Sequence, residues 1–392
     1  MKRVVIGLSG GVDSSVAAYL LKQQGYEVIG VFMINWHDKT GTLEGDCPWK
    51  DDLVFAQLVA KKLDIEFHSA DLSKVYKKRV IDYMFKEYEN GRTPNPDVLC
   101  NREIKFDEFF KVADKYNADF VATGHYCRRD SLEKEGKNHY RLLAGLDPNK
   151  EQSYFLCQLN QNQLSRILFP IGELPKERVR EIAAEQELPT ANKKDSQGIC
   201  FIGKVDLPTF LQQQLEPKKG EVIEIPRRFT GYLDFDEEIT DPAYLSRSWE
   251  YQPGDGIIIG THNGAHFYTI GQRKGLNIGG KKEPLFIIGT DTKRNIIYTG
   301  EGKSHPGLYR RGLAIQSSDV HWVRDDLRMT PGESKDFSIR IRYRQPLQKG
   351  TLFMEKETLF IIFERAQRGI TPGQFAAWYD GDEVIGSGVI LN

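Results

Sequence analysis

The run Ser9-Gly10-Gly11-Val12-Asp13-Ser14-Ser15 follows directly on the apolar stretch Val4-Val5-Ile6-Gly7-Leu8, and it restricts this chain more than any other feature. A buried strand has to pass through a loop of small residues into a helix whose apolar positions open at Val16, Ala17, Leu20 and Leu21. Such a junction points backbone N–H groups past the strand end, where an anionic group can rest on a helix N-terminus. Two glycines permit close backbone approach, and Ser9, Ser14 and Ser15 offer hydroxyl donors. Asp13 in an anion pocket implies an accompanying cation, so Mg²⁺ is expected with the phosphates. No Gly-Lys-Ser/Thr is present, which excludes the Walker-type loop that supports β–γ cleavage. A plain Gly-rich turn capped by Ser or Asp is the bland alternative, and a run of this length at a strand–helix junction weighs against it.

The loop resembles the pyrophosphate loop (SGGxDS) of the N-type ATP pyrophosphatases. That resemblance implies cleavage of ATP between the α and β phosphates and adenylation of a carbonyl oxygen on a second substrate. It leaves the acceptor open.

With 392 residues the chain has room for about two to three domains. Its 40% hydrophobic and 28% charged residues suit a soluble protein with a full core. No apolar run approaches the ~18 residues of a membrane span. Met1-Lys2-Arg3 leads into only a short apolar run, unlike a signal or transit peptide, so a cytoplasmic location with no membrane partner is expected. A net charge of −1 requires a nucleic-acid binder to segregate its basic residues onto one face. Cys47, Cys100, Cys127, Cys157 and Cys200 are scattered without CxxC pairs, as in a reducing compartment.

Apolar runs at Val4–Leu8, Val28–Ile34, Ile65–His68 and Asp119–Thr123 read as buried parallel strands. Amphipathic stretches at Asp52–Leu63 and Ser73–Tyr88 lie between them, and a later helix opens at Pro175-Lys176-Glu177. Residues 1–206 are therefore expected to form an open, doubly wound α/β domain with a parallel sheet and a nucleotide site at the strand C-terminal ends. Beyond it the texture turns to short strands with frequent turn signals. That pattern predicts a small β-rich central domain over 207–284 and a C-terminal β-barrel over 285–392. The stretch 127–139 reads as a solvated hairpin loop.

Cys100 follows Asn95-Pro96-Asp97-Val98-Leu99, where two prolines make a stiff extended loop before a helix opens near the cysteine. A thiol at a helix N-terminus, flanked by Arg102 and Lys105, should have thiolate character. Asp97 would cap that helix or shuttle protons. A single cysteine is more often a buried hydrophobe. Cys200 has apolar neighbours (Ile199, Phe201, Ile202) but follows Lys193-Lys194 and a Ser-Gln-Gly loop with a hinge at Gly198, so structure and function stand even there.

The set Gly7–Ser15, Asn95-Pro96-Asp97 with Cys100-Asn101 and Ile104-Lys105-Phe106, Ala122-Thr123-Gly124-His125-Tyr126, Lys150–Leu156, Ser196–Gly203 and Gly271–Gly275 looks like the tRNA-specific 2-thiouridylases, the MnmA family, over nearly the whole chain and in order. The resemblance implies that Gly7, Leu8, Ser9, Gly10, Gly11, Val12, Asp13 and Ser14, with Met33 and Gly124, hold ATP. Asn95, Pro96 and Asp97 would contact the target base. Cys100 would be the nucleophile and Cys200 the persulfide carrier, the two able to form a transient disulfide. Lys150, Glu151 and Gln152 would touch tRNA, as would Tyr343 and Arg344. Glu151 departs from the Asp usual in the family at that place.

The partners so implied are the tRNA anticodon arm and a sulfur-relay protein or cysteine desulfurase. On a strand, Arg340, Arg342 and Arg344 would share one face suited to phosphate. His125, at a strand end, reads as a hydrogen-bonded structural group. Three other readings are an amidating ATP pyrophosphatase, which needs no cysteine pair, a non-enzymatic RNA-binding or sulfur-carrier protein, and a transferase whose Cys100, Cys200 and Asp97 hold an Fe–S cluster.

Overall fold

The computed structural model describes residues 1–37, 49–195, 207–212, 214–236 and 238–391. Cys47, Cys200 and the rest of the Ser196–Gly203 segment lie outside them. Strands β1 (Arg3–Gly7), β2 (Glu27–Ile34), β3 (Glu66–Asp71) and β4 (Phe120–Ala122) are followed by the hairpin β5 (Cys127–Lys134) and β6 (Lys137–Ala144), then by β7 (Ile167–Leu168). The first four and β7 form a parallel sheet in the order β3-β2-β1-β4-β7. Helices α1 (Val12–Gln23) and α2 (Trp49–Leu63) make the crossovers on one face, joined there by the helix Lys176–Glu185. α2 buries Ala56, Val59, Ala60 and Leu63, the one-sided spacing of an amphipathic helix. The opposite face is covered by the helical stretches between Ser73 and Glu89 and between Pro96 and Asp114. The domain is doubly wound, as expected.

The second sheet joins β8 (Gly220–Glu224), β9 (Ile257–His262), β10 (Leu285–Asp291) and β11 (Ile296–Glu301) in the order β10-β11-β8-β9. This corrects the expected boundary at 284. β11 runs parallel to β8, and Ile287 and Ile297 pack with Val222, so the two strands assigned to the barrel belong to the middle module.

The barrel consists of β12 (Tyr309–Trp322), β13 (Ser334–Arg340), β14 (Gln348–Met354), β15 (Thr358–Arg368), β16 (Phe375–Asp380) and β17 (Glu383–Ile390). It closes through the pairing of β12 with both β15 and β17, which removes free strand edges. β13 ends at Arg340 and residues 341–345 turn, so Arg340, Arg342 and Arg344 do not share a strand face.

The hairpin is not a free solvated loop. β6 pairs with β17 at Leu143/Glu383 and Leu142/Val384, which extends the barrel sheet into the nucleotide domain. Two ladder positions are a thin joint, and buried charge reinforces it. The Glu383 carboxylate accepts from Arg324 Nη1 at 2.6 Å and from Arg141 Nε, on β6, at 2.8 Å. Arg324 is held in turn by both oxygens of Asp326, at 2.7 and 2.8 Å. Arg324 and Glu383 are almost fully buried, so neutralising Glu383 removes the acid that Arg324 and Arg141 share and leaves Arg324 with Asp326 alone. Glu383→Gln should cost about 3 kcal/mol and lower the first thermal unfolding midpoint. Calorimetry would check this, and an unchanged midpoint would mean that the joint does not depend on the ion pair.

Candidate active site

Gly11 is the N-cap of α1, and no side chain caps the helix. The first-turn N–H groups therefore remain open at the mouth of the sheet, where the macrodipole favours negative charge. The serine hydroxyls mostly turn inward. Ser14 Oγ donates to the Gly11 carbonyl at 3.1 Å and accepts from the Ser9 N–H at 3.2 Å, while Ser15 Oγ donates to the same carbonyl at 2.8 Å. They brace the loop and leave anion binding to the backbone.

Gly10 has φ +73°, and a Cβ there would overlap the Asp52 carbonyl at the start of α2. A Cβ on Gly124, after β4, would lie 2.7 Å from Ser14 N. Glycine at both places lets the loop pack against the backbone of α2 and the first turn of α1. Met33, at the end of β2, lies where a Cβ on Gly7 would be 3.1 Å from its Cε. His125 accepts or donates at 2.7 Å with Thr123 Oγ1, and burial followed by the nearby Lys105 holds its pKa well below the usual value. It is a neutral ring fixed at the strand end.

Asp13 Oδ1 accepts from Tyr126 OH and from Lys176 Nζ, each at 2.7 Å. Among the described residues its Oδ2 has no protein partner, so a hard cation accompanying ATP fits this carboxylate. The Lys176 ammonium also lies 2.9 Å from Asp195 Oδ1. Asp195, the last described residue before the Cys200 segment, also receives Arg180 Nη2 and Lys150 Nζ, each at 2.7 Å. Burial opposes its charge, but the pairing with Lys150 and Lys176 outweighs this and holds its pKa down at about 2. Lys193 Nζ donates to the Gly10 carbonyl at 3.0 Å and contacts Asp52. Lys176, Arg180 and Tyr126 carry no expected role in the sequence, and Lys193 carries one only as a charge before Cys200. One signal was available: a lysine in the first turn of a helix opposes the macrodipole unless an acid faces it.

Around Cys100 two expectations change. The helix starts at Pro96, because proline suits a first helical position, and Asn95 rather than Asp97 caps it, accepting from Val98 N at 3.1 Å. Cys100 is thus the fifth helical residue, fully buried, where the helix widens into a π-type stretch over Asn101–Glu108. Such wide turns are common at functional sites. Arg102 directs its guanidinium to Glu103 at 2.7 Å and Gln158 at 3.0 Å. Cys100 packs in one apolar cluster with Met33. Cys127 and Cys157 are buried too, and burial raises both thiols, Cys157 to about 12, so neither is a thiolate at neutral pH.

The loop before Cys100 is pinned where the three modules meet. Thr93 N donates to the Pro372 carbonyl at 2.8 Å, and Thr93 Oγ1 lies 3.1 Å from Thr269 Oγ1. Gln374 Nε2 donates to the Thr93 and Pro94 carbonyls at 2.9 and 3.1 Å. Residues 150–152 join the nucleotide domain to the barrel. Glu151 is buried, with Oε2 accepting from Arg340 at 2.6 Å, and Gln152 Oε1 accepts from Tyr126 N at 3.0 Å. Tyr343 packs on Phe155 with ring centroids 4.3 Å apart, and Arg344 is exposed.

An uncapped helix N-terminus behind β1, framed by glycines and facing a carboxylate, defines a nucleotide-binding α/β domain of the pyrophosphatase-loop type. Residues 2–204 match the family described as tRNA methyl transferase HUP domain, 251–301 its PRC-barrel domain, and 313–390 an aminomethyltransferase beta-barrel domain. The chain is 59% identical over 394 residues to the tRNA-specific 2-thiouridylase MnmA of Christiangramia forsetii, covering 100% of both. It is 57% identical to that of Flavobacterium johnsoniae, again over 100% of both chains. With that of Bacillus subtilis it shares 44%, over 99% of this chain and 94% of the relative. This chain belongs to the tRNA-specific 2-thiouridylase family.

Gly124→Ala should push the β4 end off α1 and raise the ATP concentration needed for half-maximal pyrophosphate release by about ten-fold or more. An unchanged ATP dependence would separate Gly124 from the nucleotide site. The lowered Asp195 pKa adds stability that is complete above the ordinary aspartate value near ~4 and is lost as pH falls towards about 2. The thermal midpoint of Asp195→Asn should therefore fall less steeply than that of the parent chain across this acid window.

Proposed function

We propose that this chain makes 2-thiouridine at the wobble position, residue 34, of tRNA, with ATP activating the uracil C2 carbonyl and a persulfide on Cys200 supplying sulfur. Supporting this reading above all is the open N-terminus of α1, whose Asp13 shares the Lys176 ammonium with Asp195 on the approach to Cys200. Asn95, Pro96 and Asp97 would meet the base, from a loop that the middle module and the barrel both hold. Lys150, Gln152, Tyr343 and Arg344 would serve the RNA, while Glu151 would act through Arg340.

Oxide is a poor leaving group, so O2 first has to be esterified. Uracil O2 attacks the α-phosphorus and the bond to pyrophosphate breaks, with the α1 N–H groups stabilising the departing charge. Mg²⁺ bound with ATP would screen that charge, and Asp13 is the ligand the chain offers it. The outer sulfur of the Cys200 persulfide then bonds to C2, the C2–O2 bond breaks and AMP leaves with the oxygen. The Cys100 thiolate attacks Cys200 Sγ, breaking its bond to the transferred sulfur and forming a Cys100–Cys200 disulfide that an external thiol reduces. In the other order Cys100 frees sulfide first, and the sulfide adds to C2. Asp97 manages protons in both. The flipped uridine reaches the cleft while the barrel and the central module hold the anticodon arm. A desulfurase or relay protein would load Cys200, and the cytoplasm would be the setting.

Full-length protein incubated with ATP, unmodified tRNA and an isotopically labelled persulfide donor should yield labelled 2-thiouridine by mass spectrometry. Asp13→Ala should lose pyrophosphate release while keeping tRNA binding. Cys200→Ser should adenylate without accepting label, and Cys100→Ser should hold label on Cys200 without product. Full thiolation by either cysteine variant, or label on Cys47, Cys127 or Cys157, would end the two-cysteine mechanism.

A further inference from the structure

The exit of β2 carries a polar side chain that the fold itself does not satisfy. Asn35, the residue after the strand, is 2% exposed, and neither Oδ1 nor Nδ2 has a hydrogen-bond partner among the described residues. The other buried carboxamides among those residues are treated differently. Asn295 accepts from Ala265 N and donates to the Lys218 carbonyl, each at 2.9 Å. Gln158 accepts from Arg102 and donates to Ser387, and Gln367 accepts from Gln345 and donates to the Arg365 carbonyl. Asn101 keeps one bond, from Nδ2 to the Phe155 carbonyl at 3.1 Å. A buried carboxamide with both ends unpaired is costly, and it calls for a polar partner from outside the chain. The indole Nε1 of Trp36, the next residue, is buried without a partner as well.

The place of Asn35 in the sheet narrows what that partner is. β1 and β2 are neighbours, and Leu8 N donates to the Val31 carbonyl at 3.0 Å where the nucleotide loop leaves the sheet. Asn35 lies four residues past Val31, about 13 Å further along the strand direction, which is the reach from the phosphates to the base of an extended nucleotide. In open α/β sheets the ligand lies beyond the strand C-termini, with its nucleoside end over the second strand. Met33 and Trp36, on either side of Asn35 in the chain, belong to one apolar cluster, a wall that suits a base better than a hydroxylated sugar. The strand exit is also anchored. Leu72 N donates to the Ile34 carbonyl at 2.8 Å, Trp36 packs edge-on against Tyr76 with centroids 6.4 Å apart, and His37 Nε2 lies 3.0 Å from Asp71 Oδ2.

We propose that Asn35 selects the base of the activating nucleotide, its Oδ1 accepting the exocyclic N6–H of adenine and its Nδ2 donating to the adjacent ring nitrogen. This rests on ATP being the activating substrate. One planar donor–acceptor pair meets another, as when asparagine reads adenine in nucleic acids. A site built to pair with the amino group penalises a base that lacks it, because the buried carboxamide is then left unpaired.

Calorimetric titration of the full chain with magnesium nucleotides, without tRNA, tests the proposal. The parent chain should bind ATP at least about ten-fold more tightly than purine riboside triphosphate, which lacks only the N6 amino group. Asn35→Leu, similar in volume but without a polar side-chain atom, should bind the two nucleotides equally and bind ATP about ten-fold more weakly than the parent. Replacing ATP by 2′-deoxy-ATP should cost parent and variant the same factor, since the contact is to the base. The nucleotide-free thermal midpoint of Asn35→Leu should be no lower than the parent's, because the substitution breaks no hydrogen bond. If Asn35→Leu unfolds early, Asn35→Ala supplies the same affinity ratio. A variant that still prefers ATP over the purine analogue as strongly as the parent would overturn the assignment alone. So would a variant that loses only the discrimination against 2′-deoxy-ATP, which places Asn35 on the ribose. A raised half-saturating tRNA concentration with nucleotide binding unchanged would place it on the target uridine and overturn the assignment too. A parent chain that binds no ATP would overturn the activation chemistry and this proposal with it.

Discussion

The Lys176 ammonium is shared between two carboxylates, and much of the site is arranged around that sharing. Asp13 belongs to the nucleotide loop and Asp195 to the approach to the Cys200 segment, and each is 2.7–2.9 Å from the same nitrogen. A buried lysine with two acids is stable only if further charge balances the cluster. Lys150 and Arg180 supply it on the Asp195 side, while Tyr126 supports Asp13. The nucleotide loop, the helix Lys176–Glu185 and the segment leading to Cys200 are thus joined by one electrostatic group rather than by apolar packing alone.

The parts of this arrangement that were legible in the sequence are local. The strand–loop–helix at Val4–Ser15 is encoded by contiguous residues, so its geometry follows from periodicity and glycine placement. Strand runs such as Val28–Ile34 stand out because both sheet faces are buried. Non-local pairing was not legible. Leu285–Asp291 is a short apolar run bounded by turns, as a barrel strand also is, and nothing in its own residues says that its ladder partner is Ile296–Glu301 in the middle sheet. The Arg340–Arg344 alternation suggested a strand face, but the chain turns after Arg340, whose charge is committed to Glu151, 189 positions away. Before Cys100 the two prolines predict a stiff extended loop, whereas Pro96 opens the helix once Asn95 caps it.

The segment that carries Asn95, Pro96 and Asp97 owes its shape to groups outside its own domain. Its carbonyls accept from Gln374 of the barrel and its threonine hydroxyl meets Thr269 of the middle module. Tyr154 OH reaches the Phe375 carbonyl at 2.9 Å across the same junction. A loop with two prolines has little conformational freedom to lose, and these contacts select one of its few shapes. The barrel therefore takes part in shaping the site as well as in supporting the RNA.

The β5–β6 hairpin has a temporal consequence. Its partner Glu383 lies 240 positions after Leu143 in the chain (383 − 143). At roughly 5–20 residues per second on the ribosome, that distance is about 10–50 s of synthesis. Through that interval the nucleotide domain carries an unpaired β-edge, and Arg141 waits beside Asp130 for an acid not yet made. The hairpin's surface is rich in charge, from Arg128 and Asp130 to Lys134 and Lys137, which is how an exposed edge avoids pairing with another nascent chain. The polarity of this hairpin thus protects the growing chain before it serves the finished one.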